Sequence, residues 1–295
     1  MATIENGELK LEINELGAEL FSIRSVQTKH EYLWYGDPTF WKSRSPILFP
    51  IVGAICDNKC RIDGKEYTMK QHGIARHLEF ETTQKSACEV ICTLKSSEET
   101  KENYPYDFIL EIGYRLEESK IIISYKVTNP SDEIIYFQLG AHPGFNFMNF
   151  DPETIVQGYF AFNDMAENGI LSVSQLNKNG YLTPEKRNIE LTDKMIAITK
   201  ELFNVDALIL EGDQSKDISL LDASKEAYIR VKYDAPVVGL WSKANNSYSP
   251  FTCIEPWYGR CDEADYTGEF KDKEWMQTLS PAESFNTSII IEILK

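Results

Sequence analysis

No stretch of these 295 residues approaches the roughly 18 consecutive apolar residues expected of a membrane-spanning helix. Clustered basic residues are also missing. The chain has 30 basic against 46 acidic side chains, a net charge of -16. Nucleic-acid binders need grouped Lys and Arg to displace counterions from phosphate, and an acidic field repels polyanions and anionic membrane surfaces alike. Nucleic acid and membrane are therefore excluded as expected partners. The opening residues, MATIENGELK, lack the basic start and apolar stretch of an export signal, so the expected location is the cytoplasm. Several catalytic fingerprints are absent: G-x-S-x-G, H-E-x-x-H, a Walker loop, and G-x-G-x-x-G after a strand. Histidine is scarce at four residues, which argues against a His-rich metal site.

Six cysteines without an export signal read as free thiols. Cys56–Cys60 and Cys88–Cys92 share a spacing that invites zinc. Four residues of strand span about 13 Å, too far for two ligands of one metal, so packed thiols are the better reading. Two Asn-x-Ser/Thr-type motifs, Asn245-Asn246-Ser247 and Asn286-Thr287-Ser288, carry no meaning without secretion. Helical periodicity is rare. The best case is 191–203, where Leu191, Met195, Ile198 and Leu202 predict a short helix.

Strand patterning, by contrast, runs through the whole chain. Leu9, Leu11 and Ile13 alternate with polar residues, as do Ile121, Ile123, Tyr125 and Val127. Leu110, Ile112, Tyr114 and Leu116 repeat the pattern, and so do Ile229, Val231 and Tyr233. Period two buries one face of each strand. Asp63-Gly64 predicts a hairpin turn, and Asn129-Pro130 ends a strand. No linker, repeat or low-complexity tract divides the sequence. The expectation is one all-β domain over 1–295, built from packed antiparallel sheets.

Three segments concentrate chemistry-bearing residues. His72 lies in KQHGIAR, and His142 follows a strand-like run in LGAHPGFNF. Small neighbours leave room for a ligand beside either imidazole; a structural histidine bonded to a turn carbonyl is the alternative. Glu255 lies in FTCIEPWYGR, beside Pro256, Trp257 and Tyr258. Desolvation there raises a carboxyl pKa toward that of a base working near neutrality. The alternative is a salt bridge to Arg260. Asp206, a charge inside LFNVDALIL, is either a ligand or a strand-start residue bonded to backbone. Arg76 points to the same cleft as His72 or to solvent. Trp34, Trp41 and Trp241 read first as core.

Taken in order, QHGIAR, GAHPGFNF and IEPWYG resemble the aldose 1-epimerase (galactose mutarotase-like) family, and within it the LacX-type branch related to hexose-6-phosphate mutarotases. SPILFPIVGAICDNKCRIDGKEYTMKQHG, DALIL and VVGLWSK strengthen the likeness, which reaches from the first strands to about residue 262. The resemblance implies a β-supersandwich of antiparallel sheets with few short helices and no cofactor. It implies Glu255 as general base and His142 as general acid. His72, Arg76, Asp206 and Trp257 would bind a small sugar, an aldohexose or its 6-phosphate. Ala54 departs from the pattern: relatives often carry Arg there, where it helps to grip phosphate. Lys59, Arg61 and Arg76 are the basic residues left nearby.

The implied reaction is exchange of α and β anomers. Glu255 would take the C1 hydroxyl proton while His142 protonates the ring oxygen, with His142 charged and Glu255 ionised in the working form. The alternatives are mutarotation of a sugar 6-phosphate, a sugar-binding or regulatory protein that has lost catalysis, and a glycosidase using Glu255 with Asp206.

Overall fold

The computed structural model describes residues 1–243 and 249–295; the Asn245 motif lies outside the described residues. Among these residues the chain folds into two large antiparallel sheets, a three-stranded sheet of Ala2–Glu5, Leu9–Ile13 and Leu20–Ser25, and two hairpin-sized sheets. One large sheet has nine strands, in the order Met195–Thr199, Val156–Phe162, Asp217–Leu221, Ala227–Tyr233, Ser284–Ile293, Lys120–Thr128, Ile109–Glu117, Glu89–Lys95 and Glu81–Ser86. The other has eight. Its path runs Leu182–Glu190, Ile170–Leu176, Leu208–Glu211, Val237–Trp241, Phe251–Tyr258, Leu139–Ala141, Ile47–Leu48, and Gly144–Asn146 adds to Phe251–Tyr258. No helix among the described residues is long and apolar enough to cross a membrane.

Alternation decides which faces meet. On the nine-stranded sheet, Leu110, Ile112, Ile121, Ile123, Val231 and Ile291 are buried. On the eight-stranded sheet, Leu208, Leu210, Val238, Leu240 and Ile254 join the same apolar cluster. Removing this surface from water at about 25 cal/mol per Å² is the main force holding the sheets together. The opposite face of the eight-stranded sheet carries the site.

The expected turn at Asp63-Gly64 joins Lys59–Ile62 to Lys65–Thr68, with both turn residues left-handed, φ 49° and 76°. The expected helix over 191–203 does not form. Met195–Thr199 is a strand paired with Val156–Phe162, followed by a 3-10 turn at Lys200–Phe203. Asp193 and Lys194 both have positive φ, which breaks a helix. Ile196 and Ile198 are buried at a spacing of two, and β-branched residues suit a strand. Sheet pairing thus overrides a local spacing that imitated a helix. All six cysteines are free thiols.

Candidate active site

Phe251–Tyr258 runs between Val237–Trp241 and Leu139–Ala141 in the eight-stranded sheet. Ile254 enters the intersheet core, so Cys253, Glu255 and Trp257 face the other way. That face lines a cavity of about 470 Å³, in the range of small-molecule sites. Two glycines make space for its floor. A Cβ on Gly239 would stand 2.6 Å from the Trp257 ring and one on Gly140 would stand 2.7 Å from it. Only glycine on both flanking strands lets the indole lie against the sheet.

His142 follows Leu139–Ala141 on the turn into Gly144–Asn146, and Gly144 pairs with Cys253. This crossing brings two distant segments together: His142 Nε2 lies 3.2 Å from Glu255 Oε2. The side chains are 9% and 1% exposed, which makes the contact a buried one. Trp41 stacks on the His142 ring at 4.7 Å between centroids, and Trp241 meets it edge-on at 5.5 Å. Glu255 makes no pair with Arg260, whose guanidinium is engaged by Glu211 at 3.0 Å and Glu263 at 2.9 Å.

His72 sits on a tight turn with φ 68°. Gly73 follows with φ 76°, and a Cβ there would lie 2.2 Å from the Phe49 carbonyl oxygen. The turn is clamped twice to Gly53. The His72 N–H donates to the Gly53 carbonyl at 3.0 Å, and the Gly53 N–H donates to His72 Nδ1 at 3.2 Å. With Nδ1 accepting, the neutral ring carries its proton on Nε2 and can donate it to a ligand. Burial, aided by Arg76, pushes the His72 pKa down to about 3. Its ring meets that of His142 edge-on at 5.5 Å. Arg76 lines the same cavity and donates to Ser43 Oγ at 2.8 Å. Asp206, left-handed at φ 76° just before Leu208–Glu211, lines the cavity as well.

The six residues singled out from sequence, Glu255, His142, His72, Arg76, Asp206 and Trp257, therefore line one cavity. Sequence reasoning missed Gln71 and Lys243 on its wall and assigned Trp41 and Trp241 to the core. Trp34 is a core residue, fully buried. Lys59 and Arg61 turn elsewhere, toward Glu66 and Glu269 around a separate depression. Ala54 lines the cavity wall.

The expected charged His142 and ionised Glu255 are not what burial favours in this arrangement. Burial drives the His142 pKa well below its ordinary value, reinforced by His72 and Arg76. It also drives Glu255 well above the carboxylate range, with Asp206 adding to the shift. The neutral pair and the ion pair hold the same single proton, moved across 3.2 Å. Cys253 also approaches the pair: its sulfur, a Glu255 oxygen and a His142 nitrogen lie within 4.8 Å of one another.

This concave face on a two-sheet antiparallel sandwich places the chain among galactose mutarotase-like β-sandwiches. The galactose mutarotase-like protein from Lactobacillus casei superposes with a TM-score of 0.93 at 28% identity, covering 100% of both chains. The galactose mutarotase related enzyme from Lactobacillus acidophilus superposes with a TM-score of 0.91 at 32% identity, over 100% of this chain and 97% of that one. A family model described as aldose 1-epimerase matches residues 1–292, and the chain belongs to that family. Protein LacX of Lactococcus lactis, in its plasmid form, is 28% identical over 299 residues, 99% of this chain and 98% of its own length. Membership places the chain among sugar-processing isomerases of the mutarotase type.

Proposed function

We propose that the chain, acting as one unit over 1–295, interconverts the α and β anomers of an aldohexose. One observation carries this reading: the 3.2 Å contact between His142 Nε2 and Glu255 Oε2 in a cavity floored by Trp257. The C1 hydroxyl oxygen and the ring oxygen of a pyranose share one carbon, so groups acting on the two must be neighbours. Glu255 takes the C1 hydroxyl proton and His142 gives one to the ring oxygen. The hemiacetal opens, the aldehyde turns about C1–C2, and the same groups act in reverse. The pair's single proton serves both steps, because the substrate returns at one oxygen what it receives at the other. The working tautomer is the ion pair. The π-face of Trp41 against His142 favours the imidazolium, and so does a substrate hydroxyl donating to Glu255.

His72 binds and polarises the sugar through its Nε2 proton. Arg76 and Asp206 hold hydroxyls, and Trp257 offers its face to the sugar C–H groups. No metal or nucleotide enters this scheme. Polarimetry on freshly dissolved α-glucose and α-galactose tests it, with loss of optical rotation accelerated by the protein and not by the Glu255→Gln variant. A protein that binds these sugars without accelerating the change is a binding protein, and the reading is wrong.

Mutarotation of a sugar 6-phosphate is the second reading, favoured by two cationic residues on the cavity wall, Arg76 and Lys243. Against it stand Ala54 at the cavity wall and the outward engagement of Lys59 and Arg61. Rates on glucose and galactose compared with their 6-phosphates separate the two. The cytoplasm is the proposed location.

A further inference from the structure

Cys253 has no part in the acid–base scheme, yet the fold delivers it to the reacting pair. It stands two residues before Glu255 on one strand, so both side chains emerge on the same face of the sheet, where Cys253 is fully buried beside Trp34 and Phe251, just beneath the cavity wall. Gly144, two residues beyond His142, pairs with Cys253 itself. The three donor atoms, sulfur, carboxylate oxygen and imidazole nitrogen, fall within 4.8 Å of one another. Ligands on a tetrahedral zinc-sized cation stand about 3.3–3.6 Å apart, given bond lengths of about 2.0–2.3 Å. The 3.2 Å between His142 Nε2 and Glu255 Oε2 meets that requirement. The sulfur needs to close by up to about 1.2–1.5 Å.

One further observation points to a ligand here. Glu255 is 1% exposed, and its Oε1 is buried with no hydrogen-bond partner among the described residues. A thiolate and a carboxylate together cancel the charge of a dication, which a buried site requires. The coordination would be open on the cavity side, leaving a fourth position for water. Thiolate and imidazole select soft or borderline cations over magnesium and calcium. His142 Nδ1 is also buried without a partner among the described residues. A resident zinc histidine normally donates that nitrogen's proton to a carbonyl or carboxylate, so the arrangement suits reversible capture rather than a permanent cofactor.

We propose that His142, Cys253 and Glu255 form a latent site for a soft divalent cation of the zinc type, and that cation and sugar exclude each other there. Binding releases two protons to solvent, one from the Cys253 thiol and one from the His142–Glu255 pair. The site itself does not depend on the sugar reading; the exclusion does.

Cobalt(II), as a spectroscopic probe, and zinc(II), by calorimetry, are titrated into the full chain. The expected result is one cation per chain and a thiolate-to-cobalt charge-transfer absorption. Cys253→Ser abolishes the absorption and weakens zinc by at least about tenfold, while Cys56→Ser leaves both unchanged. Absence of one-to-one binding overturns the site, as does an absorption that survives Cys253→Ser. Mutarotation is then followed with zinc and after a chelator. Reversible inhibition supports the exclusion; full activity in the zinc-loaded protein overturns it. A metal-free protein inactive on every sugar refutes the mutarotase reading and leaves the cation result standing.

Discussion

Replacing Glu255 by Gln separates chemistry from architecture more cleanly than any other single change. The side chain is 1% exposed, and burial already favours its neutral form. A neutral amide of the same shape therefore keeps the cavity and adds no buried charge. Its N–H can donate to His142 Nε2 across the same 3.2 Å, which pins His142 neutral. The variant then loses the base and silences the acid together. Each group is worth about 10²–10⁴ in rate, or about 2.7–5.5 kcal/mol of barrier. We expect kcat to fall at least about a hundredfold, while the thermal midpoint moves by no more than about 2–4 °C, the shift that 1 kcal/mol gives a domain of this size class. Polarimetry supplies the rate, calorimetric unfolding the midpoint, and sugar titration by tryptophan fluorescence shows that binding persists. A variant that keeps more than about a tenth of the wild-type rate refutes the assignment of a base, since acid–base contributions exceed that.

His142→Asn should lower kcat by the same order, about 10²–10⁴-fold, with sugar binding retained; a loss confined to KM in stopped polarimetric assays would make His142 a binding group only. The pH–rate profile should be flat through neutrality: lowering of the His142 pKa delays gain of a second proton to acid pH, and raising of the Glu255 pKa delays loss of the shared proton to alkaline pH. A single titration near the ordinary histidine value of about 6.5 would contradict a coupled pair. His72 is neutral when folded and titrates at about 3, so the unfolded chain binds the extra proton first and stability falls as pH drops from about 6.5 toward 3. His72→Asn, compatible with the left-handed turn, should shallow that slope in urea titrations at several pH values, and an unchanged slope would show that burial of His72 contributes nothing. Gly239→Ala should cost about 1–3 kcal/mol by driving a methyl into the Trp257 ring and should raise KM; wild-type KM and stability would mean that the indole does not form the floor.

The sandwich was legible because period-two burial is a local signal; Leu9–Ile13 and Lys120–Thr128 follow it residue by residue, and Ile109–Glu117 does so apart from the buried Gly113. His142 and Glu255 were legible because their surroundings are odd: a histidine among small residues at a strand end, and a carboxylate inside an apolar strand. What escaped depends on long-range placement. Trp41 stacks on His142 from a loop far away in sequence, and nothing in its neighbours announces that contact. The preference of the resting pair for its neutral tautomer was not legible because the burial that sets it comes from sheets closing around both groups. Met195–Thr199 was mistaken for helix because its partner strand, Val156–Phe162, lies more than thirty residues earlier. Cys253 read as one more packed thiol until the pairing of Gly144 with Cys253 set His142 beside it.

A crystal of the Glu255→Gln variant soaked with galactose or glucose puts the central idea to its most direct trial. One pyranose is expected against Trp257, with its two C1-bound oxygens within reach of the residue-255 amide and the His142 ring. A sugar bound elsewhere, or held with C1 out of reach of both side chains, would contradict it.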